Sequence, residues 1–144
     1  TQTFQSAHVF NHPLPWDTGR VTSMDFTFAF VYSFNRDLSS WQTSQVTTME
    51  SMFQNASSFD VDISHWDVQN VLNMDNMFSG ASAFGQHLCW NLNPHVSMVD
   101  VVQSTDGGSV AHDNSHQPRY DVHGRLHLQS DYLLGFKQSS SING

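Results

Sequence analysis

Trp41–Trp66 runs WQTSQVTTMESMFQNASSFDVDISHW, and its apolar residues return in the same order one spacing later. Trp41, Val46, Met49, Met52, Phe53, Ala56, Phe59, Ile63 and Trp66 are followed by Val71, Met74, Met77, Phe78, Ala81, Phe84, Leu88 and Trp90. The recurrence, at about 25 residues, is the signature of a structural repeat. One spacing earlier the chain gives Trp16, Val21, Met24, Phe28, Val31, Phe34 and Leu38, with Thr27 in a Met position and Val31 in an Ala position. A unit this short cannot bury its own apolar row, so equivalent residues are expected to stack in columns against the next unit. Asp, Asn, Ser, Thr and Gln between the fixed positions mark the solvent side.

The local pattern suggests two elements per unit. Val46, Met49, Met52 or Phe53, and Ala56 follow a 3-3-1-3 spacing, one face of a short helix or 3₁₀ turn. Val61, Ile63 and His65 alternate, as a short strand does. The expected fold is therefore an α/β solenoid of right-handed, leucine-rich-repeat-like coils of about 25 residues, each with a short parallel strand and a helical turn. With Leu38, Ile63 and Leu88 pointing inward, Asp37, Ser39, Asp62, Ser64 and His87 point to the opposite face of the strand row, beside Cys89. They are the candidate binding face. The first full coil departs from this scheme, since Phe26, Phe28, Phe30, Tyr32 and Phe34 alternate like a strand where the later coils show a helical period.

The repeat region is expected to span residues 1–103. A partial N-terminal repeat ends at Pro13 and Pro15, coils begin near residues 16, 41 and 66, and a degenerate last coil starts at residue 90. The spacing from Trp66 to Trp90 is one residue short of its predecessor. Residues 104–144 lack an apolar period and are expected to form a loose cap or a disordered tail, with Tyr132–Phe136 apolar enough to dock on the last coil. Phe4, Ala7 and Phe10 already match the spacing of Phe53, Ala56 and Phe59, which suggests a piece of a longer array.

Two segments, Val46–Phe59 (VTTMESMFQNASSF) and Val71–Phe84 (VLNMDNMFSGASAF), carry a family resemblance. They resemble the bacterial-surface-antigen-like leucine-rich repeats. They are still more similar to the Mycoplasma-type repeats, domain of unknown function 285, found in surface lipoproteins and in algal and protist proteins. The resemblance covers roughly Phe4 to Leu92 and implies a cell-surface or extracellular location. It implies no reaction, because that family is defined by its repeat.

Five basic against thirteen acidic residues give a net charge of −8, which argues against nucleic acid as a partner, since phosphates are met by Lys and Arg. An anionic membrane surface is disfavoured on the same ground, and no stretch has the length of a membrane span. The single cysteine, Cys89, excludes an internal disulfide. Three histidine pairs, His8 with His12, His112 with His116 and His123 with His127, have four-residue spacing, but Pro13, Pro118 and Gly124 interrupt the helix such a metal site needs. Asp60 and Asp62 lack the loop and closing Glu of a calcium site. The serines lack a nucleophile elbow, and no Gly-rich phosphate cradle occurs. No catalytic residue, cofactor or metal ligand is therefore assigned. Asn55-Ala56-Ser57 fits the N-glycosylation acceptor, making Asn55 a candidate modification site against the simpler reading of a polar turn.

These observations favour a non-enzymatic surface or secreted repeat module for protein binding or adhesion, with a protein or glycan ligand. A metal-binding or metal-dependent enzymatic protein using the His-rich tail is the alternative, and a structural spacer is a third.

Overall fold

Rings at equivalent repeat positions lie face to face from one level of the chain to the next. The computed structural model describes residues 3–105, 109–112, 119–120 and 126–127. Phe4, Phe28, Phe53 and Phe78 form one column with centroids 5.6, 5.4 and 5.7 Å apart. Phe10, Phe34, Phe59 and Phe84 form a second at 6.1, 6.3 and 6.0 Å. Trp16, Trp41 and Trp66 form a third at 6.2 and 6.5 Å. Within a level the two Phe columns touch, as at Phe53 and Phe59, 3.8 Å apart. Such pairs add about 0.5–1.5 kcal/mol each beyond the area they bury. Met24, Met49 and Met74, Val46 and Val71, and Leu38, Ile63 and Leu88 fill the space between.

One further column, and the indoles of the third, hold polar atoms inside. Thr18, Thr43, Val68 and Leu92 are all buried. The two threonines are satisfied because Thr18 Oγ1 donates to the Gln42 carbonyl and Thr43 Oγ1 to that of Asp67, both at 2.9 Å. Among the indoles, Trp41 Nε1 donates to the Leu14 carbonyl at 3.0 Å and Trp90 Nε1 to that of Ile63 at 3.2 Å. Trp66 Nε1, buried between them, has no such partner among the described residues.

The backbone corrects the expected α/β solenoid. There is no helix among the described residues, and the segment read as a helix face is a run of turns. The N–H groups of Met49, Ser51, Phe53 and Asn55 donate sideways to Asn73, Asp75, Met77 and Ser79 of the next level at 2.8–2.9 Å. The residues between them bond locally, Met52 to Met49, Gln54 to Ser51 and Ala56 to Phe53. An α-helix directs every N–H along its axis to the residue four back. Here left-handed residues interrupt the right-handed run: Ser51 and Asn55 have φ of 52° and 55°, and Phe26, Phe30, Asn76, Gly80, Asp100 and Ser104 repeat the device. A 3-3-1-3 apolar spacing is compatible with either backbone, and the left-handed residues select the turns.

The expected strand in each level is absent too. Ser64 and His65 form a turn. On the other segment, parallel pairing between levels consists of single bridges, Ser23 with Thr48, Thr48 with Asn73 and Asn73 with Ser97. Among the described residues up to Thr105, a continuous strand appears where the repeat loses a residue. Ile63-Ser64-His65-Trp66 is replaced by Leu88-Cys89-Trp90. With no residue left for the turn the chain stays extended, and His87–Trp90 becomes strand β1.

Strand β2, Ser109–His112, pairs parallel to β1 in the register Leu88 with Val110. Val110 is buried and so follows Leu38, Ile63 and Leu88 in their column. Strands β3, Arg119–Tyr120, and β4, Leu126–His127, form a short antiparallel pair. The expected docking of Tyr132–Phe136, and most of the stretch expected to be a cap or a disordered tail, lie outside the described residues.

Candidate binding face

The row Asp37, Ser39, Asp62, Ser64 and His87 is exposed, and the residues it flanks, Leu38, Ile63 and Leu88, are buried. The outward direction read from the sequence therefore survives the loss of the strands that suggested it. The first two levels place the row on turns. Ser39 N–H and Oγ donate to the two carboxylate oxygens of Asp37 at 2.8 and 2.7 Å. Ser64 N–H donates to Asp62 at 2.9 Å. Each Asp closes its own turn, a local side-chain bond that competes with strand formation. At the third level His87 and Cys89 stand on β1 in place of the Asp and Ser.

These turns set the acidity of the row. The Ser39 hydroxyl, then its N–H, holds the Asp37 carboxyl below its ordinary value of 3.8, with His65 assisting. At Asp62 the Ser64 N–H acts first, then the hydroxyl, again with His65. A lowered folded pKa means that the turns favour the folded state above pH 3.8 and lose that contribution as pH falls through the folded value. Carboxyl ¹³C titration should therefore place both groups below 3.8. Ser39→Ala should move Asp37 upward and leave Asp62 in place.

A second acidic column lies on the bridge-bearing segment and holds levels together. Asp25 Oδ1 accepts the Glu50 N–H at 3.0 Å and the Thr48 hydroxyl. Asp75 Oδ1 accepts the Val99 N–H at 2.8 Å and the Ser97 hydroxyl at 2.6 Å. Between them Asn73 Nδ2 donates to Glu50 at 3.2 Å. A third ladder runs from Asn11 to the Asn35 N–H, from Asn35 to the Asp60 N–H and from Asp60 to the Gly85 N–H, at 3.0–3.1 Å. These polar side chains stitch the stack, and their spacing in the sequence was the available signal.

Sequence reasoning missed a surface cleft of about 270 Å³ at the corner between two levels. Gln42, Thr43 and Ser44 line it from one level and His65 and Asp67 from the next, over Trp41 and Trp66. It adjoins the candidate face, because His65 follows Ser64 in the same turn.

Asn55 is partly exposed, and its side chain lies against the level above. A Cβ at Gly80 would sit 2.2 Å from Asn55 Oδ1. Cys89 is exposed. His8 stacks on Tyr32 with centroids 4.7 Å apart. Among the described residues no three His, Cys, Asp or Glu side chains converge on a metal position. His116 and His123 lie outside the described residues, and His112 and His127 are described only as strand residues.

Residues 1–112 match the family described as Mycoplasma protein of unknown function, DUF285. The chain belongs to that family, as the resemblance of Val46–Phe59 and Val71–Phe84 implied. No curated protein and no solved structure matches the chain. No helix among the described residues is long and apolar enough to cross a membrane.

Proposed function

We propose that the chain is a non-enzymatic binding or adhesion module displayed at the cell surface or secreted, with a protein or glycan as ligand. The observation that carries the reading is the arrangement of the face: exposed Asp37, Ser39, Asp62, Ser64 and His87 recur around a buried column of Leu38, Ile63 and Leu88. Side chains held by closed turns on a rigid stack present a fixed pattern to a partner, and function in such stacks resides in the residues that vary on the outside. The row has no Trp, Tyr or Arg anchor, so a single copy binds weakly and gains strength through repetition.

Charge reversal of Asp37 and Asp62 to Lys should abolish attachment of the protein to cells or matrix that bind it, with melting unchanged. Attachment that persists in that variant and disappears on altering Glu50 and Asp75 would place binding on the bridge-bearing segment and defeat the assignment.

A further inference from the structure

We propose that Asn55 is an N-glycosylation site, its side-chain amide carrying an oligosaccharide on the flank of the stack. The inference rests on the reading of the chain as a surface or secreted module, because the transferases that modify Asn-x-Ser act on exported chains.

Asn55-Ala56-Ser57 is the only Asn-x-Ser or Asn-x-Thr in the sequence, and the simpler reading is that Asn55 serves its turn. Asparagine tolerates positive φ better than most residues, and Asn55 has φ of 55°. The other levels weaken that reading. Phe30, Gly80 and Ser104 hold the equivalent place at φ of 61°, 73° and 61°, so the turn does not require asparagine. Nor does the stack use its side chain. Asn35 accepts the Asp60 N–H, and Asn70, Asn73 and Asn93 each donate to a neighbouring level. The Asn55 amide makes no hydrogen bond among the described residues.

An amide without a partner is costly unless water reaches it. Asn55 is partly exposed, and Trp66 Nε1 alone is both buried and unpartnered among the described side chains, so the Asn55 amide keeps contact with solvent. The next level sets its direction. Oδ1 is the atom that faces Gly80, 2.2 Å from where a Cβ would stand there, which leaves Nδ2, the nitrogen that takes the sugar, on the other branch of the amide. Ser82 and Ala83, which bond to the Ser57 carbonyl from the next level, are small and exposed, so that level puts no bulky side chain beside the acceptor. The step is a glycosyl transfer from a lipid-linked oligosaccharide pyrophosphate. Asn55 Nδ2 attacks the anomeric carbon, the bond from that carbon to the pyrophosphate oxygen breaks, the lipid pyrophosphate leaves, and the amide proton passes to a base of the transferase. The Asn55 backbone N–H is tied to the Ser79 carbonyl, so transfer precedes closure of that level and the finished stack carries the sugar outside.

The test expresses the full chain behind a cleavable export leader in a eukaryotic cell that has the transferase. Peptide mapping of the secreted protein should find a glycan on Asn55 that peptide-N-glycosidase removes, and the glycosylated chain should keep the circular dichroism of the unglycosylated one. Ser57→Ala keeps Asn55 and gives up only the 3.3 Å bond to the Tyr32 carbonyl, so it should fold and lose the glycan, while Ser57→Thr should retain it. The proposal is overturned if the secreted chain carries no glycan, if the Ser57→Ala variant keeps it, or if the glycan occurs only on chain that fails to fold. The leader forces export, so a missing glycan counts against Asn55 alone. Display in the chain's own host is read separately, by antibody labelling of intact cells and of the medium, and a failure there counts against the surface reading.

Discussion

Phe53→Ala should lower the free energy of unfolding by about 3–5 kcal/mol, the range for removing a large aromatic side chain from a packed core. Phe53 is fully buried and meets four other rings: Phe28 at 5.4 Å, Phe78 at 5.7 Å, Phe59 at 3.8 Å and Trp66 at 6.3 Å. It belongs to a column that continues above and below, so the cavity would open in the middle of the stack. Collapse from both sides would pull the two neighbouring levels out of register with the side bonds from Met49 to Asn55, and those bonds resist it. Equilibrium denaturation checks the value. A loss below about 1 kcal/mol would show that the columns do not carry the stability assigned to them.

Gly80→Ala should cost about 1–3 kcal/mol for two separable reasons. Gly80 has φ of +73°, where a Cβ is strained. The new methyl would also stand 2.2 Å from Asn55 Oδ1 on the neighbouring level. The double variant with Asn55→Gly removes the contact and leaves the strain, so part of the loss should return, and a double-mutant cycle would show positive coupling. Strict additivity would mean that the contact does not matter and that backbone strain alone is being measured.

The columns were legible in the sequence because side-chain periodicity reports which residues share a side. It does not report where the backbone N–H groups go. Met49, Met52, Phe53 and Ala56 fall on one side in a helix and also in a series of turns, so the spacing alone could not exclude the helix. A signal was available in the positions that became left-handed: Asn55 and Gly80 at one, Asn76 and Asp100 at the other. Asn, Asp and Gly tolerate positive φ best. It was blurred because Phe26, Phe30 and Ser51 occupy the same positions in other levels. The outward direction of Asp37, Ser39, Asp62 and Ser64 was legible, since their neighbours are apolar column members. Their role in closing turns was written in the Asp-x-Ser spacing but was masked by the alternation of Val61, Ile63 and His65. The corner cleft was not legible at all. It exists only because residues such as Thr43 and Asp67, 24 positions apart, meet across two levels, and no local pattern encodes that.

The single shortened spacing has a further consequence for how the chain finds its order. Nearly identical units invite pairing with the wrong neighbour, because the side bonds of one level would fit the next but one almost as well. The corner Leu88-Cys89-Trp90 cannot imitate Ile63-Ser64-His65-Trp66, since it lacks the residue needed to turn. Its extended backbone instead pairs with Ser109–His112. The missing residue therefore works as an address label: it sets one level apart from its neighbours, and a fold slipped by one unit would place a turn where a strand belongs.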